Sequence, residues 1–257
     1  MLGSIMHRCS EWFVQLEKLL SSSKQICLSC GAGYDRSKPL PVCSDCWAAI
    51  PWIGEVMCSR CGRYEVCTDC IRRENTYYTQ NRSAVRYDDN MKEWLALHKY
   101  RGKERLRQVL GPMLLHAYHL HRHNPVDSTE REATVQWISF VPLSEERLQE
   151  RGFNQARQLA EELGKLTGLP VISLLRRTRH TDKQSFKARA ARLDDLKDVF
   201  EVDGDGLAYM NAMAVKLGKH RVYLIDDVYT TGSTLNECAR TLRQKLDVEV
   251  YGISWAR

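Results

Sequence analysis

No stretch of the 257-residue chain stays apolar for the length a membrane span requires. The opening MLGSIMHRCSEWFVQLEKLLSSS is broken by Glu11, Gln15, Glu17 and Lys18, and no small-residue cleavage site follows it. It reads as a short amphipathic helix within residues 1–26, and a cytosolic location is expected. No G-x-x-x-x-G-K-[ST] occurs, so the chain lacks a nucleoside-triphosphate P-loop. Low-complexity segments are absent, and the C-terminal half shows no internal repeat. The charge is not extreme either. A net +6 fits an anionic partner, but many proteins with none share it.

Cysteine is what the chain does have, ten in all, eight of them in pairs of identical spacing. The pairs are CLSC (Cys27, Cys30), CSDC (Cys43, Cys46), CSRC (Cys58, Cys61) and CTDC (Cys67, Cys70). In a reducing compartment paired thiols serve metal binding or redox chemistry, not disulfides. Two residues between thiolates let a tight knuckle turn both sulfurs to one tetrahedral ion, and two knuckles close a four-thiolate zinc site. Two structural zinc ions are therefore expected, paired either sequentially or in a cross-braced manner. One zinc with a degenerate second site is the narrower alternative. A redox pair would sit inside a βαβ unit, whereas these pairs crowd a stretch with little periodicity. Gly31 and Gly62 follow their pairs where a knuckle needs positive φ. Cys9 and Cys238 fall outside the pattern and read as small buried apolar residues.

The expected organisation is a helix over 1–26, a double zinc ribbon over 27–71, a linker with helices over 72–130, and an α/β domain over 131–257. IRRENTYYTQNRSAVRYDD is polar and weakly alternating, a linker into a hairpin or edge strand. MKEWLALHKYRGKERLRQVLGPMLLHAYHLHRH has helical spacing and predicts two helices broken near Arg101-Gly102, with Pro112 at a kink or in a first turn. VQWISFVP, PVISLLRRT, KDVFEV, RVYLIDDV and VEVYGISWA then read as five strands. SEERLQERGFNQARQLAEELGKLTG and STLNECARTLRQKL read as helices between them. Continuous apolar strands alternating with helices predict a doubly wound parallel sheet.

In such sheets ligands sit at the carboxyl ends of strands. VYLIDDVYTTGSTLNE has that form: a buried strand, an acidic pair, a small hydroxyl-rich loop and a helix. The amides and hydroxyls of Thr230, Thr231, Gly232, Ser233 and Thr234 suit a phosphate at the helix N-terminus. Asp226 and Asp227 suit vicinal ribose hydroxyls or a magnesium-bound sugar diphosphate. VYLIDDVYTTGST resembles the type I phosphoribosyltransferase signature at essentially every position. The resemblance implies that Asp226 and Asp227 bind the ribose of magnesium-complexed phosphoribosyl pyrophosphate, and that Thr230 through Thr234 bind its 5-phosphate.

Val141-Pro142-Leu143 ends the first core strand, where Arg147 and Arg151 could reach a diphosphate. A solvated helix face is an equal reading for Arg147. The basic stretch RRTRHTDKQSFKARAARL falls where the transferases carry a closing loop, with Arg179, Thr181, Gln184 and Arg189 as candidates. An alternative is a contact surface for nucleic-acid phosphates, which would include Lys187 and Arg192. His116, His119 and His123 share a helix face, but no acidic support lies near them in the sequence. A solvated helix end, with His121 among its imidazoles, is the expected reading.

The cysteine knuckles, KYRGK, VPL, RGFNQA, RRTR and LIDDVYTTGST together resemble the ComF family of ComFC-like late competence proteins, from Cys27 to Arg257. That resemblance implies handling of incoming single-stranded DNA in natural transformation, beside the competence helicase ComFA. An active transferase with an unidentified nucleobase or amine acceptor is the second reading, since no residue here selects an acceptor. A zinc-dependent adaptor with a vestigial pocket is the third.

Overall fold

The apolar residues Val222 to Ile225 are fully enclosed, and the strand that holds them is an inner strand of a parallel sheet. The computed structural model describes residues 25–34, 38–100, 103–122, 134–178, 198–213 and 219–257. Two compact units divide between Ala49 and Ile50. The first holds a short antiparallel pair, β1 (Gln25–Ile26) with β2 (Gly33–Tyr34), followed by α1 (Ser44–Ala48). Cys27, Leu40, Val42 and Cys43 are its buried residues. The sequence suggested one cysteine-rich module over 27–71. The unit boundary instead falls between the two groups of thiols, and the second group folds with the α/β sheet.

In the second unit four parallel strands run in the order β3 (Gln80–Val85), β8 (Val248–Ala256), β7 (Lys219–Val228), β4 (Thr134–Phe140). The helices are α2 (Asp89–Tyr100), α3 (Arg107–Arg122), α4 (Glu145–Arg151), α5 (Gln155–Thr167), α6 (Gly204–Met213) and α7 (Ser233–Lys245). On one face α3 packs against β3 and β8, and α5 against β4 and β7. The other face receives Leu235, Cys238, Ala239 and Leu242 of α7 against Val222, Leu224, Val248 and Val250. Cys238 is a buried small residue, as expected, while Cys9 lies outside the described residues. Helices on both faces make this a doubly wound parallel sheet.

Three local departures from the sequence reading have physical causes. The expected edge strand forms as β3, but its polar Gln80, Asn81, Arg82 and Ser83 are buried. Most of those polar groups are satisfied internally, Arg82 Nε being left without a partner among the described residues. Asn81 Nδ2 donates to the Cys61 carbonyl at 3.3 Å, and Arg82 Nη1 donates to the Ser59 carbonyl at 2.9 Å. The second cysteine loop thus covers the strand, and polar composition conceals its burial.

PVISLLRRT and KDVFEV do not enter the sheet as full strands. Val171 makes one parallel bridge to Ile138, and β5 (Leu175–Arg177) pairs antiparallel with β6 (Phe200–Val202) apart from the sheet. Helix α6 was not anticipated, because its GDG start looks like a turn. The break near residues 101 and 102 does separate α2 from α3. Pro112 lies inside α3 beyond its first turn, after a 3₁₀ turn at Glu104–Leu106, and not at a first turn. Among the described residues no helix is long and apolar enough to cross a membrane.

Candidate functional site

The carboxyl end of β7 and the start of α5 enclose a cavity of 180 Å³. Asp226, Asp227 and Thr234 line it, together with Arg147 and Arg151. The anticipated ribose and diphosphate candidates therefore meet around one space. Arg179, Thr181, Gln184, Lys187, Arg189 and Arg192 lie outside the described residues.

Four further polar residues line the cavity that sequence reasoning did not single out: Lys99, Asn154, Gln155 and Arg177. Lys99 ends α2 and pairs through Nζ with Asp227 Oδ2. Asn154 caps α5, accepting from the Arg157 amide at 3.2 Å while its Nδ2 donates to the Val141 carbonyl at 3.0 Å. That double bond ties the helix start to the turn after β4. Gln155 is buried, and its Oε1 accepts from Arg151 Nη1 at 2.9 Å. Its Nε2 has no partner among the described residues. A buried donor left open at a cavity wall is a costly arrangement that a ligand acceptor would relieve. The hints were KYRGK and RGFNQA, whose spacing does not show that both face one site.

The two aspartates differ. Burial, then the negative charge of Asp227, pushes the Asp226 carboxyl up to about 8. Burial acts the same way on Asp227, but the Lys99 ammonium outweighs it and holds Asp227 below the usual carboxylate range. Near neutral pH the pair therefore keeps one proton, and a cation or a set of hydroxyl donors would be needed to ionise both.

The loop from Thr230 to Thr234 is built from behind. Gly232 has φ 75°, and a Cβ there would lie 2.1 Å from the Tyr229 hydroxyl, so only glycine fits. Thr231 Oγ1 and Ser233 Oγ are 2.8 Å apart across the turn, and the Asn236 amide donates to the Gly232 carbonyl at 2.9 Å. Tyr229 Oη lies 2.6 Å from Tyr78 Oη, and Tyr78 Oη accepts from Arg73 Nη1 at 2.8 Å. Arg73 Nη2 also donates to the Thr231 carbonyl. Arg73 follows the last cysteine knuckle by three residues, so the second cysteine loop supports the loop of the site.

The thiols form two sequential groups, Cys27/Cys30/Cys43/Cys46 and Cys58/Cys61/Cys67/Cys70, each with its sulfurs within 4.8 Å of one another. Cys30 and Cys43 sulfurs are 3.7 Å apart, and Cys61 and Cys67 sulfurs 3.5 Å. A tetrahedral zinc with four Zn–S bonds of about 2.3 Å has sulfur edges of about 3.8 Å, so both groups fit that ion. Gly31 and Gly62 have φ of 82° and 73°, as the knuckles require. Burial raises the thiols of Cys46, to about 12, and Cys70, to about 11. Against burial, the amides of Cys30 and Cys43 bring Cys27 down to about 7. Four sulfurs at these separations could hold one metal ion, whose binding would displace the thiol protons. Of the two pairings the spacing left open, the groups are sequential, and the described thiols are free cysteines.

The histidines take structural roles. His116 Nε2 bonds the Ile53 carbonyl at 2.8 Å. His121 is buried, between Gln80 Nε2 at 3.1 Å and the Gly252 carbonyl at 2.9 Å, and not solvated as expected. Burial, then the charge of Arg82, brings it down to about 3. His119 is exposed, and His123 lies outside the described residues.

Among known proteins, competence protein ComFC of Bacillus subtilis is 32% identical over 241 residues, covering 86% of this chain and 90% of its own. The chain belongs to the ComFC family of competence proteins. ComFC of Streptococcus pneumoniae is 28% identical, covering 82% of this chain and 86% of its own. Competence protein F of Haemophilus influenzae is 26% identical, at 88% and 90%. No protein-family model matches the chain. Adenine phosphoribosyltransferase from Leishmania tarentolae superposes at 15% identity over 63% of this chain and 75% of its own, with a TM-score of 0.26, too slight a likeness to carry an argument.

Proposed function

We propose that this ComFC-family protein handles incoming single-stranded DNA in natural transformation, and that its α/β unit binds phosphoribosyl pyrophosphate or a related sugar phosphate. The observation that carries the reading is the convergence of Asp226, Asp227, Lys99, Arg147, Arg151 and Thr234 on one cavity. In this reading the acidic pair holds the ribose hydroxyls with magnesium, Thr230 through Thr234 take the 5-phosphate, and Arg147, Arg151 and Gln155 receive the diphosphate. Magnesium would supply charge neutralisation of the diphosphate. Lys99 must leave Asp227 as the ligand enters.

Zinc is the metal proposed for both cysteine groups, in structural sites with every position filled by thiolate. The partners proposed are single-stranded DNA and the competence helicase ComFA, in the cytoplasm. The undescribed basic stretch with Arg179, Gln184 and Arg189 is proposed to meet the diphosphate or the DNA backbone.

A second reading, active transfer to an unidentified nucleobase or amine, is favoured by the pairing of a raised Asp226 with a low Asp227, an acid and a base side by side. The test is titration of the full chain with phosphoribosyl pyrophosphate and with single-stranded and duplex DNA, each with and without magnesium, alongside an assay for released pyrophosphate. Magnesium-dependent binding of the sugar phosphate and preference for the single strand support the proposal. Pyrophosphate release with a base or amine supports the second reading. Binding of neither ligand refutes both.

A further inference from the structure

Val228 is a wall of the sugar-phosphate cavity and also of a larger one, of 660 Å³. This second cavity is lined by Tyr64 and Tyr87, by Thr230 of the phosphate loop, and by three arginines, Arg63, Arg86 and Arg257, that outnumber its two carboxylates, Glu65 and Asp88. The Arg86 guanidinium stacks on Tyr64, 5.4 Å from the ring centre. Deeper in, Arg257 stacks on Tyr229 at 4.4 Å, with Nη1 donating to the Cys61 carbonyl at 3.3 Å. Arg63 is held by Asp69 at 2.8 Å, but no carboxylate pairs with Arg86 among the described residues, and Arg86 is exposed.

Those walls set the chemistry of an occupant. Guanidinium and phenol faces side by side offer a planar π surface next to positive charge. A purely apolar guest would strip water from the arginines without replacing it. A metal has no cluster of ligands there, because the two described clusters are the cysteine groups. A flat heteroaromatic ring carrying a phosphate meets both demands, its ring on tyrosine and its phosphate on arginine.

We infer that this cavity binds a nucleobase with its adjoining phosphate, the base against Tyr64 and Tyr87 and the phosphate at Arg86. The inference rests on the proposed sugar-phosphate and DNA reading and adds the place where a base is received. Because Val228 and Thr230 border the space, a ribose phosphate in the smaller cavity and a base in the larger one are neighbours. The base comes either from a free mononucleotide or from a single strand.

The test uses the full chain and three probes: a thymidine homopolymer, thymidine monophosphate, and phosphoribosyl pyrophosphate with magnesium. Loss of base stacking costs about 1–3 kcal/mol per base, so Tyr64→Ala should weaken the nucleotide probe about tenfold or more. Arg86→Gln should weaken it and lower its salt dependence by about one phosphate contact. Both variants should keep the wild-type melting temperature and the wild-type affinity for phosphoribosyl pyrophosphate. Should either variant fold poorly, ultraviolet crosslinking of the unaltered protein to a 4-thiothymidine strand replaces it, with adducts expected on the peptides holding Tyr64 or Tyr87. Losses with the homopolymer assign the base to a strand, and losses with the monophosphate alone assign it to a free nucleotide. Tight nucleotide binding that both variants leave unchanged, with adducts elsewhere, overturns the cavity assignment while leaving the proposed function standing. Absence of binding by both nucleotide probes overturns the inference, and the phosphoribosyl pyrophosphate arm then reports separately on the sugar-phosphate reading.

Discussion

The hydroxyls of Tyr78 and Tyr229 are 2.6 Å apart in a buried contact between the segment after the second cysteine loop and the residue before the loop from Thr230 to Thr234. Arg73 closes the arrangement by donating to Tyr78 and to the Thr231 carbonyl. Burial raises both phenols, so both stay protonated, and one must donate to the other. Tyr78→Phe removes an acceptor from Arg73 and a partner from Tyr229. It should cost about 1–3 kcal/mol of stability and weaken sugar-phosphate binding as well, read by urea unfolding and calorimetry. Lost stability with unchanged ligand affinity would show that the loop does not depend on this support.

The glycine of the loop has no substitute. Gly232→Ala combines a left-handed backbone with a Cβ aimed at the Tyr229 hydroxyl. Sugar-phosphate affinity should fall by about two orders of magnitude or become unmeasurable, because the loop must move to relieve a clash worth several kcal/mol. Gly31→Ala, where a Cβ would meet no atom within 4 Å, should leave that affinity unchanged.

The two thiol groups should separate functionally. Elemental analysis should find two zinc ions per chain in the unaltered protein. Cys30 is exposed, whereas Cys61 is fully buried in the core cluster that also holds Tyr78 and Tyr229. Cys30→Ser should lower the zinc content by one and leave sugar-phosphate affinity within about twofold, since its unit is separate from the sheet. Cys61→Ser should lower zinc, the melting temperature and ligand affinity together. Equal effects of the two variants on affinity would contradict the division.

Much of the site was legible because its parts lie close in sequence. Asp226 through Thr234 belong to one strand-loop-helix, and Arg147 and Arg151 to one helix, so spacing alone placed them. Strands β4, β7 and β8 were legible from their continuous apolar runs, and the four cysteine pairs from their spacing, but not which pairs share a site. Lys99 was not, because its meeting with Asp227 spans more than a hundred residues and depends on how α2 ends. Strand β3 was legible as an edge strand, but its burial was concealed by polar composition, since Asn81 and Arg82 meet the cysteine loop and Gln80 meets His121. His121 was misread for a related cause. Its place at the end of a polar helix suggested solvent, but Gln80 and Gly252 take it into the core.

The acidic pair gives a pH dependence with a definite sign. Asp226 is raised from 3.8 to about 8, so the folded protein holds a proton that the unfolded chain releases. The stability this confers is complete below the unfolded value near 3.8 and is lost as pH rises through about 8. Asp226→Asn should therefore stabilise the ligand-free protein, on the order of 1 kcal/mol, more at alkaline than at acidic pH. A ligand that needs both carboxylates ionised must expel the proton. Affinity for magnesium phosphoribosyl pyrophosphate should rise with pH by up to about tenfold per unit below about 8. The groups facing the pair include Lys99 and Arg151 beside Asp227 and Cys238 beside Asp226, so Lys99→Met should raise Asp227 and displace the profile to higher pH.

Gln155 offers a quieter test of the same cavity. Its Nε2 is a buried donor with no partner among the described residues. Gln155→Leu removes the unsatisfied Nε2 but also the acceptor of Arg151 Nη1, so the two effects on stability should largely offset while sugar-phosphate affinity falls about tenfold, in line with about 1.5–3 kcal/mol for a bond to a charged acceptor. A variant that loses stability and keeps affinity would place that donor elsewhere.

The account stands most directly on whether the acidic pair binds a magnesium sugar diphosphate. Calorimetric titration of the full chain with phosphoribosyl pyrophosphate should show saturable binding that requires magnesium, and Asp226→Asn with Asp227→Asn should reduce it by about 100-fold or more. Undiminished binding by the double variant, or no binding by the unaltered protein, would contradict it.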